Sequence, residues 1–184
     1  TVAEDGSVWM FEFQGNNAGG GMFNVLVPPY DDVRVRRGLI MATRQEAIIA
    51  ALGGEGISEP ATQLFAMDSP WYSEEAAEAY ASYDFDGAMA LLEDYINDAD
   101  RSDGKAVGEK LDVVLSCPPD PTLIAAMEVT QQFWNETGLV NTELTAFDQA
   151  THINMALGMA NEFRGEHEVH CWRWGSESDP GGEN

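Results

Sequence analysis

The sequence predicts an α/β fold, a mostly parallel sheet flanked by helices. From Lys110 onward, strand-like and helix-like runs alternate: strands at 111–117, 141–147 and 166–172, with helices at about 123–136 and 149–160 between them. Strand–helix–strand–helix–strand implies parallel neighbours joined by right-handed crossovers. The stretch 29–100 reads as largely helical and 1–28 as a strand pair or hinge region. The 184 residues, 44% of them apolar and five of them Trp, suffice for one domain with a sizeable core at about 150 residues per domain. No apolar run approaches the roughly 20 residues of a membrane span.

In chain order, residues 8–13 alternate weakly as a strand, 15–21 is a glycine-rich loop, and 22–27 is a second strand. Pro28-Pro29 stops that strand, since proline donates nothing to a ladder. Asp31 or Asp32 then caps a helix running from Val33 to about Leu52, with Val33, Leu39, Ile40, Ala47, Ile48 and Leu52 as its apolar positions and Gly53-Gly54 as its stop. Residues 53–71 lack periodicity, and Trp71 in Pro70-Trp71-Tyr72 is a packing anchor. Ser73 caps a short helix. A helix at about 86–96 places Met89, Leu92 and Ile96 on one face, with Glu93, Asp94 and Asp98 solvated. Asp148 caps the last helix.

Charge is the strongest compositional fact. There are 32 acidic against 9 basic residues, a net charge of −23, which excludes nucleic acid and anionic lipid as partners. The acids are spread along the chain, as in a solvated surface suited to a salty or marine habitat where screening tames self-repulsion. Cys117 and Cys171 are the only cysteines. They meet if their strands are neighbours, and otherwise remain buried free thiols.

In open parallel sheets, ligands sit outside the carboxyl ends of the strands. That rule nominates three loops, at 117–122, 147–149 and 172–180. The third carries Trp172-Arg173-Trp174-Gly175-Ser176-Glu177-Ser178-Asp179-Pro180. A Glu177 carboxylate beside an indole suits an ammonium group through ion pairing and cation–π contact, and repels a carboxylate. The plainer reading makes Glu177 one loop acid of 32 and the indoles packing residues.

His167, His170 and Cys171 form a His-x-x-His-Cys run. On a strand, His167 and His170 point to opposite faces, so no metal site is expected, nor any cofactor. His152, on a helix, reads as a surface or packing residue. No nucleophile elbow, phosphate-binding glycine loop, His-Glu-x-x-His or Cys-x-x-Cys occurs. A hydrolase using scattered carboxylates and a structural or adhesive module are the alternatives from other classes.

The run Phe23-Asn24, then Pro28-Pro29-Tyr30-Asp31-Asp32-Val33-Arg34-Val35-Arg36, then Met41-Ala42-Thr43-Arg44-Gln45-Glu46-Ala47-Ile48 resembles the peptide- and nickel-binding family (family 5) of solute-binding proteins of ABC importers. Tyr83-Asp84-Phe85-Asp86-Gly87-Ala88 resembles that family's Tyr-Asp-Pro-x-x-Ala segment, with Phe85 in place of proline. The third loop resembles its Trp-Ser-Gly-Arg-x-Asp-Pro-Asp-Gly segment: Trp174, Asp179 and Pro180 match, while Glu177 stands where Arg is common.

The resemblance implies one lobe of a two-lobed periplasmic-binding-protein type II fold, excised from a longer chain; the first residues, lacking a basic start and an apolar core, do not read as a signal peptide. It further implies an extracytoplasmic monomer that hands peptides or related amine-bearing solutes to ABC transporter membrane subunits, without catalysis. Trp172, Trp174, Ser176, Glu177 and Asp179 would then line the cleft, with Ser176 or Glu177 near the Asp that anchors a peptide's α-amino group in relatives.

Overall fold

The computed structural model describes residues 17–157 and 165–175; the strand expected at 8–13 and the end of the last helix lie outside them. The chain folds as β1 (Asn17–Phe23), α1 (Val33–Met41), α2 (Gln45–Ala51), α3 (Glu74–Ala79), α4 (Phe85–Ile96), β2 (Leu111–Cys117), α5 (Pro121–Glu136), β3 (Val140–Ala146), α6 (Gln149–Leu157) and β4 (Val169–Gly175). The sheet order is β1-β4-β2-β3. β2 runs parallel to both β3 and β4, and β1 closes the edge antiparallel to β4. The expected α/β sheet with flanking helices is therefore observed.

One sheet face carries the core. Leu111, Val113 and Leu115 of β2, Val140 of β3 and Val169 of β4 are buried beneath α1, α4 and α5, against Val35, Leu39, Leu92, Tyr95 and Trp134. The Asp32 carboxylate caps α1 on the Arg34 amide at 2.7 Å, and Asp120 caps α5 with Pro121 in its first turn, where a missing N–H costs nothing. Gly138, at φ 70°, closes the turn after α5 into β3.

Four expectations need correction. The glycine run is strand, not loop: β1 spans it and stops at Phe23, because the Asn24 side chain takes over the turn. Asn24 Oδ1 accepts from the Leu26 amide at 3.2 Å, and its Nδ2 donates to the carbonyls of Gly165 and His167.

The single helix expected to Leu52 is two, broken at Ala42–Arg44. There the Leu39 carbonyl accepts from the Trp134 indole at 3.0 Å and the Thr43 hydroxyl at 2.8 Å, and the Met41 carbonyl accepts from the Asp84 amide. Outside partners have replaced the helical ones. With the break, Val35 enters the core and Val33 faces solvent.

Trp71 does not anchor its stretch, being 50% exposed. That stretch is pinned by Gln45, bonded to both the amide and the carbonyl of Ala61, and by Gln63, bonded likewise to Ser73. Asp94 and Asp98 are not merely solvated, since the Arg34 guanidinium reaches both at 2.9 Å.

Candidate functional site

The parallel strands β2, β3 and β4 deliver their carboxyl ends to one edge, and the starts of α5 and α6 lie at the same edge. In two of the three nominated loops the obvious acids are already engaged. Asp120 accepts from the amides of Thr122 and Leu123. Asp148 accepts from the amides of Ala150 and Thr151 and from the Thr151 hydroxyl. Those hydrogen bonds hold the Asp148 carboxyl below its usual range, the Thr151 hydroxyl contributing most.

The third loop grows from β4. Trp172 and Trp174, two apart, project to the same side of the sheet. Trp172 is half-buried and stacks on His152 at 5.9 Å between ring centroids and 20° between planes. Trp174 is 38% exposed. The register sets Gly20 opposite Trp172 and Ala18 opposite Trp174. A Cβ at Gly20 would lie 3.4 Å from the Trp174 ring, so the small residues of β1 give the indole its floor. Ser176, Glu177 and Asp179 follow directly but lie outside the described residues, so the structure places the stem of the nominated site and not these three side chains.

Cys117 and Cys171 form a disulfide, Cα to Cα 5.2 Å. In the β2–β4 register Ser116 faces His170, which sets Cys117 opposite Cys171. The bridge ties together the strands that carry the first and third nominated loops.

Sequence reasoning missed the grouping of the histidines. β4 begins at Val169, so His167 lies before the strand and the alternation argument does not reach it. His152, His167 and His170 are all buried. The His167 and His170 rings lie 4.8 Å apart, and His152 stacks on His170 at 3.9 Å. Burial pulls His170 down to about 3, with the neighbouring rings acting the same way. Burial also lowers His152 and His167. The stacked rings do not converge on a point, and among the described residues no group of three or more His, Cys, Asp or Glu could hold a metal ion.

Two shallow concavities lie elsewhere, one on β2 and β3 at Asp112, Val114, Asn141 and Glu143, the other beside α2 at Glu46, Ile49 and Pro60; neither is lined by the tryptophans.

This α/β arrangement, a sheet with flanking helices, is one lobe of the periplasmic-binding-protein type II fold. The chain belongs to the bacterial extracellular solute-binding proteins, family 5, whose model matches residues 1–183. It is 28% identical over 184 residues to the dipeptide-binding protein of Escherichia coli K12, covering 97% of this chain and 31% of that one. It superposes on the periplasmic oligopeptide-binding protein of Thermotoga maritima with a TM-score of 0.69 at 16% identity, over 90% of this chain and 32% of that one. For OppA of Haemophilus influenzae in complex with the peptide RPPGFSPFR, the TM-score is 0.63 at 18% identity, over 86% and 29%. The chain therefore spans about a third of the length of these relatives.

Proposed function

We propose that this chain is one lobe of a solute receptor for an ABC importer, and that it captures oligopeptides or related amine-bearing solutes in a cleft between two lobes. The observation that carries this reading is the stem of the third loop. β4 runs at the carboxyl edge into a partly exposed Trp174 supported by β1, and the next residues include Glu177 and Asp179. An ammonium group meets there an indole face and carboxylates, a pairing that attracts cations and repels a free carboxylate. The peptide and dipeptide named in the comparisons support the same solute class.

Two lobes closing on a solute need no chemistry, because tighter binding to the closed state drives closure. The receptor acts as a monomer and releases its solute to the importer's membrane subunits. The Cys117–Cys171 bridge supports an extracytoplasmic setting, where disulfides persist.

The test is tryptophan fluorescence of the full-length protein, titrated with a mixed peptide set at low and high salt. Saturable quenching or a spectral shift is expected, with peptides blocked at the amino terminus at least tenfold weaker. Glu177→Gln should weaken free-amine peptides and leave blocked ones unchanged; equal affinity of wild type and Glu177→Gln for all of them would remove the anchor. No response to any peptide from a folded protein would overturn the solute class.

A further inference from the structure

Behind the tryptophans, the histidine stack has a chemistry that solute binding does not use. Each ring spends one nitrogen on a partner. His152 Nε2 lies 3.0 Å from the Cys171 carbonyl and His167 Nδ1 3.3 Å from the Met155 carbonyl. A carbonyl only accepts, so both of those nitrogens carry the ring proton. His170 Nδ1 meets the Ser116 hydroxyl, which also reaches the Val169 carbonyl. With the hydroxyl proton given to that carbonyl, His170 also donates from Nδ1. His152 Nδ1 and His170 Nε2 are then buried lone pairs without partners. An unpaired buried acceptor is tolerated better than an unpaired buried donor. A second proton on either ring would make such a donor, charged, against a neighbouring ring 3.9 Å away.

We infer that the stack of His152, His167 and His170 is an acid-sensitive latch that holds α6 and Trp172 against β4 while all three rings are neutral and loosens when any of them takes a proton. Among the described residues, its surroundings offer that proton no counter-charge. α6 contributes Asp148, committed to Thr151 and nearby amides. The turn before β4 contributes Glu168, held by the Tyr30 hydroxyl at 2.7 Å and the Val114 amide at 3.0 Å. β4 adds exposed Arg173, β2 adds Asp112 paired with Lys105, and β3 adds exposed Glu143. Among the described residues no carboxylate pairs with any of the three rings, and the only charges that perturb them are one another's.

The sign follows from linkage. The rings hold their second proton less readily folded than unfolded, so the unfolded chain binds more protons once pH falls below about 6.5, and stability drops with acid from there. The unfolding equilibrium constant rises up to about tenfold per pH unit for each histidine. Carboxylates held low, such as Asp32 and Asp112, exert the same pull only below about pH 4. Protonating the other acids relieves the −23 charge and acts in the opposite direction. The window from pH 6.5 to 4.5 therefore belongs to the histidines, and salt, which screens surface charge, leaves burial unchanged.

The test compares the full-length protein with His152→Phe, a ring that keeps the stack and cannot titrate, by thermal midpoint from pH 7.5 to 4.5 in 0.1 and 1 M NaCl. Ring-proton NMR follows the histidines of the wild type over the same range. Expected are a wild-type midpoint that falls below pH 6.5 at both salt concentrations, a shallower fall in His152→Phe by about one proton, and three rings that all take up their second proton at lower pH than a free histidine. Rings that titrate near 6.5 overturn the latch whatever the midpoint does, and so does a wild-type profile that is flat or parallel to the variant's. Should His152→Phe not fold, the wild-type ring titration decides alone. Neither readout uses a ligand, so a negative result leaves peptide capture standing.

Discussion

Arg101 shows what a buried charge requires in this fold. Its guanidinium is almost closed off from solvent and makes a two-pronged contact with Asp103 at 2.7 Å on each side. Nη1 donates to the carbonyls of Ile96, Ala106 and Glu109, so one side chain organises the whole connection from α4 to β2. Lysine, a point charge without a planar fork, cannot replace that set. Arg101→Met would leave a mostly buried carboxylate without its cation and the Glu109 carbonyl without its donor, while the Ile96 and Ala106 carbonyls keep the Gly108 and Glu109 amides, and should destabilise by about 3–5 kcal/mol. Urea unfolding checks it; a midpoint equal to wild type would show that water takes over the network. The sequence concealed this role, because Arg101 lies among Asp98, Asp100, Asp103 and Gly104 in a stretch whose composition reads as solvated loop. The histidines were concealed differently. The period-two rule was sound, but at His167 it was applied two residues before the strand begins, and only tertiary placement brings His152 across from α6.

Among the elements, what was legible was local and what was not depended on neighbours. Strand β2, helix α5 and the caps Asp32, Ser73 and Asp148 follow from alternation and cap chemistry, and they stand where those signals put them. The break between α1 and α2 does not, because the indole that takes the Leu39 carbonyl is supplied 95 residues away. The disulfide stayed open for the same reason, since two strand ends meet only if topology makes them neighbours. With a separation of 54 residues, its loss should cost about 2–4 kcal/mol, chiefly through the unfolded chain. Cys117→Ser with Cys171→Ser, melted beside the oxidised wild type, reads this directly; an unchanged melting temperature would assign the bridge no part in stability. Helix α1 meets α4 at Gly38, where an added Cβ would stand 2.7 Å from Leu92 Cγ, a buried atom with nowhere to retreat. Gly38→Val adds two further carbons there and should cost at least 2 kcal/mol, overpacking prevailing over the roughly 1 kcal/mol that leaving glycine gains in a helix. A stability at or above wild type would mean the helices can separate freely.

For the molecule as a whole, charge and fold class were legible from composition and alternation alone, whereas the proposed site was legible only as a loop nominated by the carboxyl-edge rule, of which the described residues reach the stem at Trp174 and not Glu177 or Asp179. The charge has its own consequence. With 32 acids against 9 bases, most carboxylates have no cation to meet, and the described ion pairs draw on only Arg34, Arg101 and Lys105. Repulsion among the rest opposes compaction, and salt weakens it as the screening length shrinks from about 30 Å at 0.01 M to about 10 Å at 0.1 M. Salt also weakens the exposed pairs, but each is worth at most about 1 kcal/mol, and the network on Arg34 is partly shielded. Repulsion should therefore dominate, and the thermal midpoint should climb with NaCl. The shape of the climb identifies its cause: screening acts mostly below 0.3 M and then levels off, whereas salting-out grows steadily to molar concentrations. A midpoint that is flat or falls between 0.01 and 0.3 M would mean that the carboxylates lie far enough apart, or are well enough hydrated, for a charge of −23 to cost the fold nothing.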